Sequence, residues 1–538
     1  MVTGSFDTAG STTSGQVGCM SGDPSTFDEA MKDDASGWSA SMMEEQKSLE
    51  EHNVFDWVDV PSDTNVQLLP SRFLYRRKYN KDGKLSRLKS RVVVQGFYEK
   101  ETGADKAAPV ATQESVRLVI AHAAKNRLFL KMVDINTVYL QARMKEDDPS
   151  VFVMPPVGFK CTEVQSKKVW KLKAWLYGLR LAPRGWHQTI DPYLISRGFV
   201  ASTADPCLYN KNNGEVLLLL YVDDILIAGK SKRDVEGVIG LLKDKFDTVD
   251  LGDAKFLLGI GIERDMNAGI IKLSQEAFAN TILDSYGMAD ARSAKTPAEV
   301  EPVSIVEEQT LSPEDTSYFR SATGALLYIS RCTRPDITHT VLTLTRSMAK
   351  PGPRAMANLK RALRYLRGTT SLGITYTEDS DQGDKLVAYV DSDHAGDKDG
   401  GYSTTGAVIY FGGAPIDWKS QLQTVVAISS VEAEYVALSK VCTMILHLRH
   451  LLKTVSLEQE GATVIFEDNT GALKLCRNDK VTSRTKHVDI KFHHVRSLVK
   501  ENVVNPTYIS TDLQKADIFT KRLGAVKFLR NRLMLMGE

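Results

Sequence analysis

Two aspartates side by side in an apolar run are the first residues of this chain that could do chemistry. Asp223 and Asp224 interrupt Val216 to Gly229, VLLLLYVDDILIAG. Its apolar arms around a short polar break read as strand, tight turn, strand. Arms that apolar belong in a sheet with little water on its core side. Adjacent carboxylates there repel each other and lose hydration, which is costly unless something positive compensates. Mg²⁺ would serve, since it prefers carboxylate oxygens and keeps positions for water or phosphate. On this stretch alone an exposed Asp-rich turn explains the pair equally well. Asp134, which ends the apolar run FLKMVDI about ninety residues earlier, weighs against that turn. Carboxylates from adjacent strands can bridge two Mg²⁺ about 3.5–4 Å apart, as two-metal phosphoryl transfer requires. One ion would lower the pKa of an attacking hydroxyl and the other would hold a triphosphate. Lys89 and Arg91, in RLKSR, supply positive charge for such a group, with plain solvent exposure as the alternative.

The elements that must position these residues follow from periodicity. A helix from about Ser115 to Asn126 leads into a strand, Leu128 to Ile135, that delivers Asp134. After the aspartate hairpin, Val235, Val238, Ile239, Leu242 and Phe246 make an amphipathic helix stripe, which is core. RFLYRRKY and LSRLKSRVVVQG alternate around Asn80-Lys81-Asp82-Gly83 as a β-hairpin carrying Lys89 and Arg91. Ahead of it, Phe27 to Asn53 reads as a helix. Val169 to Ser196 reads as helical after its Gly/Pro breaks, and LGDAKFLLGIGIERD as a strand pair. From Leu273 to about Gly373 the pattern is helical, with a Pro- and Glu-rich break near Thr296 to Pro313. At Lys385 it turns β-rich, followed by a helix Ser430 to Leu452, a strand Thr463 to Phe466 and a mixed basic C-terminus. No repeat of solenoid period is present.

The chain has 538 residues, too many for one core, which sets a prior of two to four domains. It is 42% hydrophobic and 25% charged, an ordinary globular composition. The net charge of +1 conceals a segregation: Arg72 to Lys100 holds ten Lys/Arg against two acids, and Met1 to Val60 two Lys against twelve acids. The basic block suggests a polyanion partner, with a solvated surface strand as the plain alternative. The six cysteines are scattered without a CxxC pair, which argues against zinc knuckles and disulfide scaffolds and fits a reducing compartment. No apolar run reaches membrane-spanning length. Met1 to about Ser25 is low-complexity and expected to be disordered, with no signal-type pattern.

Many ordered stretches now carry a resemblance. They include GKLSRLKSRVVVQGF, APVATQESVRLVIAHAA, MVDINTVYLQA, WLYGLRLAPRGW, LLYVDDILIAG, FLLGIGIERD and FRSATGALLYISRCTRPDI. DWKSQLQTVVAISSVEAEYVALS, EDNTGAL, RTKHVDI and KADIFTK continue the series. From about Phe27 to its C-terminus the chain resembles the reverse transcriptase and ribonuclease H segment of a copia-type (Pseudoviridae-like) LTR retrotransposon polyprotein. The resemblance implies a multidomain α+β and α/β fold: a right-hand polymerase of fingers, palm and thumb, followed by a ribonuclease H-like α/β domain. Expected boundaries are a low-complexity 1–26, fingers and palm 27–297, thumb and connection 298–384, ribonuclease H-like domain 385–525 and a C-terminal tail 526–538.

Carried over residue by residue, Asp134 and Asp223 resemble the principal metal ligands, with Asp224 beside them. Tyr139 matches the aromatic gate that selects deoxynucleotides, with an ordinary half-buried strand tyrosine as its alternative. Tyr177 and Gly178 match the nucleotide-pocket segment, and FLLGI around Gly259 the primer grip. Asp391, Glu434, Asp468 and Asp517 are four acids at the edges of apolar elements, and spacing alone would never single them out. Their local sequences match the ribonuclease H of the family, implying a second site that activates water on an RNA phosphodiester with two Mg²⁺. Glu432 competes with Glu434, which is preferred for its match to the motif. Asp393 is expected to be a loop or supporting acid, and the role of Lys486, His487 and Asp489 stays open.

Departures from the family pattern are Leu181, Val138 (expected to crowd the nucleotide pocket), Ala355-Met356 and His394; none removes a metal ligand. No protease, integrase core or zinc knuckle is seen, so a truncated polyprotein or a degraded element is expected. The implied cofactor is Mg²⁺, two ions per site, with Mn²⁺ as the alternative. Implied partners are an RNA template, a DNA primer, an RNA–DNA hybrid and deoxynucleoside triphosphates, with no membrane and the oligomeric state open. The expected location is cytoplasmic, in or out of virus-like particles. Two competing readings stand: a silent remnant that only binds nucleic acid, and another two-metal enzyme such as a nucleotide cyclase, against which the second acid set argues.

Overall fold

The computed structural model describes residues 22–63, 66–79, 85–100, 108–300, 306, 309–378, 383–477 and 489–537. The expected hairpin turn 80–83, most of the low-complexity N-terminus, and Lys486 and His487 lie outside the described residues. Asp489 opens a helix, Asp489–Lys500.

The chain's centre is a six-stranded antiparallel sheet. Its order is Thr248–Asp253, Phe129–Ile135, Asp224–Gly229, Val216–Tyr221, Leu208–Lys211 and Val200–Ala201. Val216–Tyr221 and Asp224–Gly229 are almost wholly buried, as near-continuous apolar strands should be. Helix Lys232–Lys243 buries the expected stripe, Val235, Val238, Ile239 and Leu242. Its start is set by Ser231, whose side chain accepts from the Asp234 amide.

The basic hairpin is amphipathic across its thickness. Ser71–Tyr79 pairs with Leu85–Val94 so that Leu74 faces Arg91, Arg76 faces Lys89 and Lys78 faces Arg87. Those pairs share one face, because directly opposed antiparallel residues point the same way. The other face presents Phe73, Tyr75 and Val92 to the N-terminal helix Phe27–Glu51, where Trp38 meets Tyr75 edge-on at 5.2 Å. That helix also closes the hairpin's free edge. Ser90 N donates to Ser41 Oγ (2.7 Å) and Val92 N to Glu45 Oε1 (2.9 Å), so the outer amides are taken rather than left to pair with another chain.

Three expectations are corrected. Val169–Leu172 is a strand paired with Phe55–Val58, not helix; VWKL alternates in a buried aromatic cluster, with Trp170 stacked on Phe55 at 4.3 Å. The helix in that stretch begins only at Ala182, inside the Gly/Pro-containing run with Pro183 in its first turn, and runs to Ser196. The helical reading from Leu273 to about Gly373 starts too early, since Leu273 and Ser274 belong to the strand Ile270–Ser274, and it leaves out the strand that follows the helices. Gly373–Thr377 is a strand that completes a sheet with Ile270–Ser274, Ile260–Asp265 and Phe256–Leu257. The C-terminal tail is helix Ala525–Met536, whose Phe528, Leu535 and Met536 are buried and whose Phe528 packs against Tyr365.

The final third forms a five-stranded mixed sheet in the order Ala414–Leu422, Thr404–Phe411, Val387–Asp393, Thr463–Glu467, Val504–Tyr508. The first three run antiparallel and the last two parallel to the middle strand. Helix Ser430–Thr454 packs on it and is buried along most of its length. Arg117, on helix Gln113–Lys125 of the first half, reaches into this domain. It donates to Ile416 O (2.7 Å) and Arg331 O (2.8 Å) and lies 4.1 Å over the Trp418 ring. No described helix is long and apolar enough to cross a membrane.

Candidate active sites

The aspartate hairpin turns in two residues. Tyr221 pairs with Asp224, leaving Val222 and Asp223 as the loop. Val222 has φ 56°, a left-handed conformation that a β-branched residue adopts only under strain of about 1–3 kcal/mol. Trp186 holds it there, donating Nε1–H to Val222 O at 2.7 Å. On the neighbouring strand Asp134 stands directly opposite Asp224, and Ile135 N donates to Asp223 O at 3.0 Å. Asp134, Asp223 and Asp224 therefore meet at one end of the sheet. Asp134 and Asp224 are buried, and Asp223 is half-buried.

Burial, then the neighbouring Asp223 charge, pushes the Asp134 carboxyl up to about 6 from its ordinary 3.8, against the pull of Lys89 and Arg91. Asp223 is raised too, chiefly by burial, with Arg91 and Lys89 opposing. The cations respond in kind. Burial and then Arg91 bring Lys89 down to about 8. Lys78 is lowered by burial and by Arg91, while Asp223 pulls it back up. Lys78 thus belongs to the cation group facing the acids, and sequence reasoning missed it. Its alternation with Arg76 and Arg72 on one strand was the available signal.

Tyr139 sits on a single helical turn, Val138–Gln141, rather than on a strand, and is buried. It meets Tyr177 edge-on at 4.9 Å, and Arg91 lies 4.5 Å over the Tyr177 ring. Burial pushes the Tyr139 hydroxyl up to about 12 and raises Tyr177 further. Arg91 is 8% exposed, yet its Nη1 finds no hydrogen-bond partner among the described residues. A buried guanidinium nitrogen left unpaired suits an anionic ligand. Gly178 has φ 91°, and a Cβ there would stand 2.0 Å from Val94 O, so only glycine lets this segment approach the basic hairpin. Val138 is buried in the core, and Leu181 packs half-buried at the start of helix Ala182–Ser196. Gly259 and Leu258 form the two-residue turn of their hairpin, both with positive φ, and Gly259 lines a cleft of about 1010 Å³ with Lys131 and Phe256.

The second acid set converges more tightly. Asp391 lies on the middle strand of the five-stranded sheet, two residues before its end, Glu434 lies on helix Ser430–Thr454, and Asp468 follows strand Thr463–Glu467. Ligand oxygens of these three lie within 4.8 Å of one another, the sole such acid, His or Cys cluster among the described residues. Glu432 spends its carboxylate elsewhere, accepting from Ile428 N (2.8 Å) while its own amide donates to Ser429 Oγ. It caps the helix that Glu434 rides on.

Asp517 is fully buried but stands outside that trio, paired with Lys521 (2.9 Å) and Lys527. Lys521 also reaches Asp391 at 3.2 Å, and Thr520 Oγ donates to Asp391. Burial drives Asp391 up to about 6, with Lys521 pulling it down. Glu434 is raised by burial and by the charges of Glu467 and Asp391. Glu467, which sequence reasoning passed over, is fully buried beside them and raised well above the carboxylate range, chiefly by burial. The burial alternation of Thr463, Ile465 and Glu467 is the period-2 signal that points it inward. Asp393, at the strand end, is partly buried, and His394 contacts Ala427 O at 3.2 Å.

Comparison with known proteins adds a lineage. The family described as Reverse transcriptase (RNA-dependent DNA polymerase) matches residues 52–300. The chain is 34% identical over 504 residues to the retrovirus-related Pol polyprotein from transposon TNT 1-94 of Nicotiana tabacum, covering 91% of this chain and 37% of that one. It is 34% identical to the Pol polyprotein from transposon RE1 of Arabidopsis thaliana, covering 94% and 34%. A putative transposon Ty5-1 protein of Saccharomyces cerevisiae is 31% identical over 314 residues, which are 57% of this chain and 98% of that protein. The chain thus spans about a third of the length of the Pol polyproteins. A solved foamy viral protease-reverse transcriptase in complex with ds DNA aligns with 88% of this chain and 69% of its own, at TM-score 0.49 and 13% identity.

Proposed function

Because the chain belongs to the reverse transcriptase family of copia-type retrotransposon Pol polyproteins, we propose that it copies RNA and DNA templates into DNA at Asp134, Asp223 and Asp224. The observation that carries this reading is the meeting of three acids at one sheet end, with Lys78, Lys89 and Arg91 coupled to them across the basic hairpin. Asp134, Asp223 and Asp224 would hold divalent ions, Mg²⁺ first and Mn²⁺ as the alternative. Those ions, when bound, lower the pKa of an attacking 3′-hydroxyl and stabilise the leaving pyrophosphate. Arg91 and Lys89 bind the triphosphate of a deoxynucleotide, the unpaired Arg91 nitrogen taking a phosphate oxygen. Tyr139, held edge-on by Tyr177, walls the sugar side of that pocket and excludes a 2′-hydroxyl. Gly178 lets the pocket segment close on the hairpin, and the Gly259 turn steadies the primer end.

The convergence of Asp391, Glu434 and Asp468 carries a second activity, hydrolysis of the RNA strand of an RNA–DNA hybrid. These three would hold the ions there. Asp517 acts in that site through Lys521, which it orients toward Asp391. The fingers and palm, thumb and ribonuclease H-like divisions belong to the same proposal, with helix Ala525–Met536 docked across the last two.

The test is primer extension by the purified chain on an RNA template with Mg²⁺ and deoxynucleotides, beside Asp223→Asn. Extension by the wild type and its loss in the variant support a polymerase. Absence of extension with hybrid binding intact would mean a folded remnant without its chemistry.

A further inference from the structure

The segment that follows the basic hairpin carries two large rings in water. Phe97 is 68% exposed and Tyr98 55%, and the rings lie against each other at 4.2 Å. Their backbone is the opposite of loose. Arg180 donates to Phe97 O (3.2 Å), and its own amide donates to Glu99 Oε1 (3.0 Å). Gln67 clamps the next turn, its amide group donating to Tyr98 O and accepting from Lys100 N at 2.9 Å. Gly96 presses against the partner segment so closely that a Cβ would stand 2.1 Å from Gly178 O. A segment fixed at this many points keeps two rings exposed without being mobile. Solvent exposure of this much paired aromatic surface is unfavourable unless a ligand covers it.

The position says what that ligand is. Val94 N donates to Tyr177 O at 2.8 Å, so the rings begin three residues beyond a direct contact with the nucleotide pocket. Arg180 holds the Phe97 carbonyl with its guanidinium, Lys100 follows Tyr98 by two residues, and the strand that carries Lys89 and Arg91 ends three residues before Phe97. Exposed aromatic faces with cations close by in the chain match a single nucleic-acid strand, whose bases have π-faces and whose backbone is anionic.

We propose that Phe97 and Tyr98 form a stacking platform for unpaired bases of the template strand, ahead of the base being copied. The assignment rests on the polymerase reading above and adds to it a site for single-stranded nucleic acid. Stacking accepts every base, so the platform confers grip without sequence preference. It is also largely salt-independent, unlike the phosphate contacts of the basic face.

The experiment compares binding of the full chain to a blunt RNA–DNA duplex and to the same duplex with an unpaired 5′ template extension carrying 2-aminopurine at its first base. Wild type should bind the extended form more tightly and shift the 2-aminopurine emission on binding. Phe97→Ala/Tyr98→Ala should lose roughly tenfold or more of its affinity for the extended form, the range of one to two stacked bases. Blunt-duplex affinity, the salt slope and the thermal midpoint should stay unchanged. Phe97→Leu, which keeps apolar bulk without a π-face, should behave like the alanine variant, and Phe97→Trp/Tyr98→Phe like wild type. Equal losses on both substrates, or no loss on either, would overturn the platform; in the second case the rings serve a different partner, such as another protein. Failure of wild type to bind either duplex would instead overturn the polymerase reading, and the platform with it.

Discussion

At the aspartate hairpin the cations that face the acids come from a different part of the chain. Lys78, Lys89 and Arg91 sit on a hairpin that, among the described residues, forms a two-stranded sheet of its own. In the five-stranded sheet the compensating cation is local: Lys521 lies four residues from Asp517, just past the short helical turn Lys515–Phe519, and reaches Asp391 from there. The first arrangement leaves a guanidinium nitrogen unspent and divides the acids between a hairpin turn and the neighbouring strand. The second packs three acids within 4.8 Å and covers a fourth with two lysines. An open site with cations on a separate element suits a large anionic substrate that arrives and leaves. A closed acid cluster suits a backbone phosphate presented by a duplex.

The largest expected effect separates two glutamates two residues apart. Glu434→Gln should lower hybrid cleavage by at least about a thousandfold, more than one electrostatic donor is usually worth. Glu432→Gln should keep cleavage within a few-fold. Equal losses in single-turnover assays would erase the distinction between cluster and cap. Next in size, Arg91→Met should lower extension by about a hundredfold, mainly through the deoxynucleotide KM, while hybrid cleavage is unchanged. A matching drop in cleavage would mean that Arg91 only holds the fold.

The acids at the hairpin end have a pH signature of their own. Asp134 titrates at about 6 when folded against 3.8 ordinarily, so the folded state binds the proton more tightly. Its contribution to stability is complete below about pH 4 and is lost as pH rises through 6. In metal-free buffer Asp134→Asn should therefore be more stable than wild type at pH 7.5, by about 1–3 kcal/mol, with the gap closing toward pH 4. A constant gap across that range in denaturant titrations would assign the effect to something other than ionisation. The smallest effect belongs to the cap: Ser429→Ala should cost about 1 kcal/mol of stability and leave extension untouched.

Much of this was legible in the sequence, and the reasons are local. Asp223 and Asp224 show because paired acids break an apolar run, and Asp134 because it ends one. The stripe from Val235 to Leu242 is buried as its 3.6-residue period requires. The second site was readable only through resemblance, since its acids lie on a strand, a helix and a loop from 391 to 468. Long-range pairing defeated the rest. Gly373–Thr377 becomes a strand because Ile270–Ser274, a hundred residues earlier, offers it an edge. VWKL becomes one because Phe55–Val58 does the same. Glu467 was hidden by Asp468 beside it, although the alternation of its strand turns it inward. The capping of Glu432 was present in Ser429-x-x-Glu432 and needed only the helix start to be read as a cap.

The most direct test of two independent sites is a crossed assay: primer extension and hybrid cleavage, each measured on Asp223→Asn and on Asp391→Asn. Asp223→Asn is expected to abolish extension and keep cleavage, and Asp391→Asn to do the reverse. Loss of both activities in either variant, with the fold intact by circular dichroism, would contradict the account.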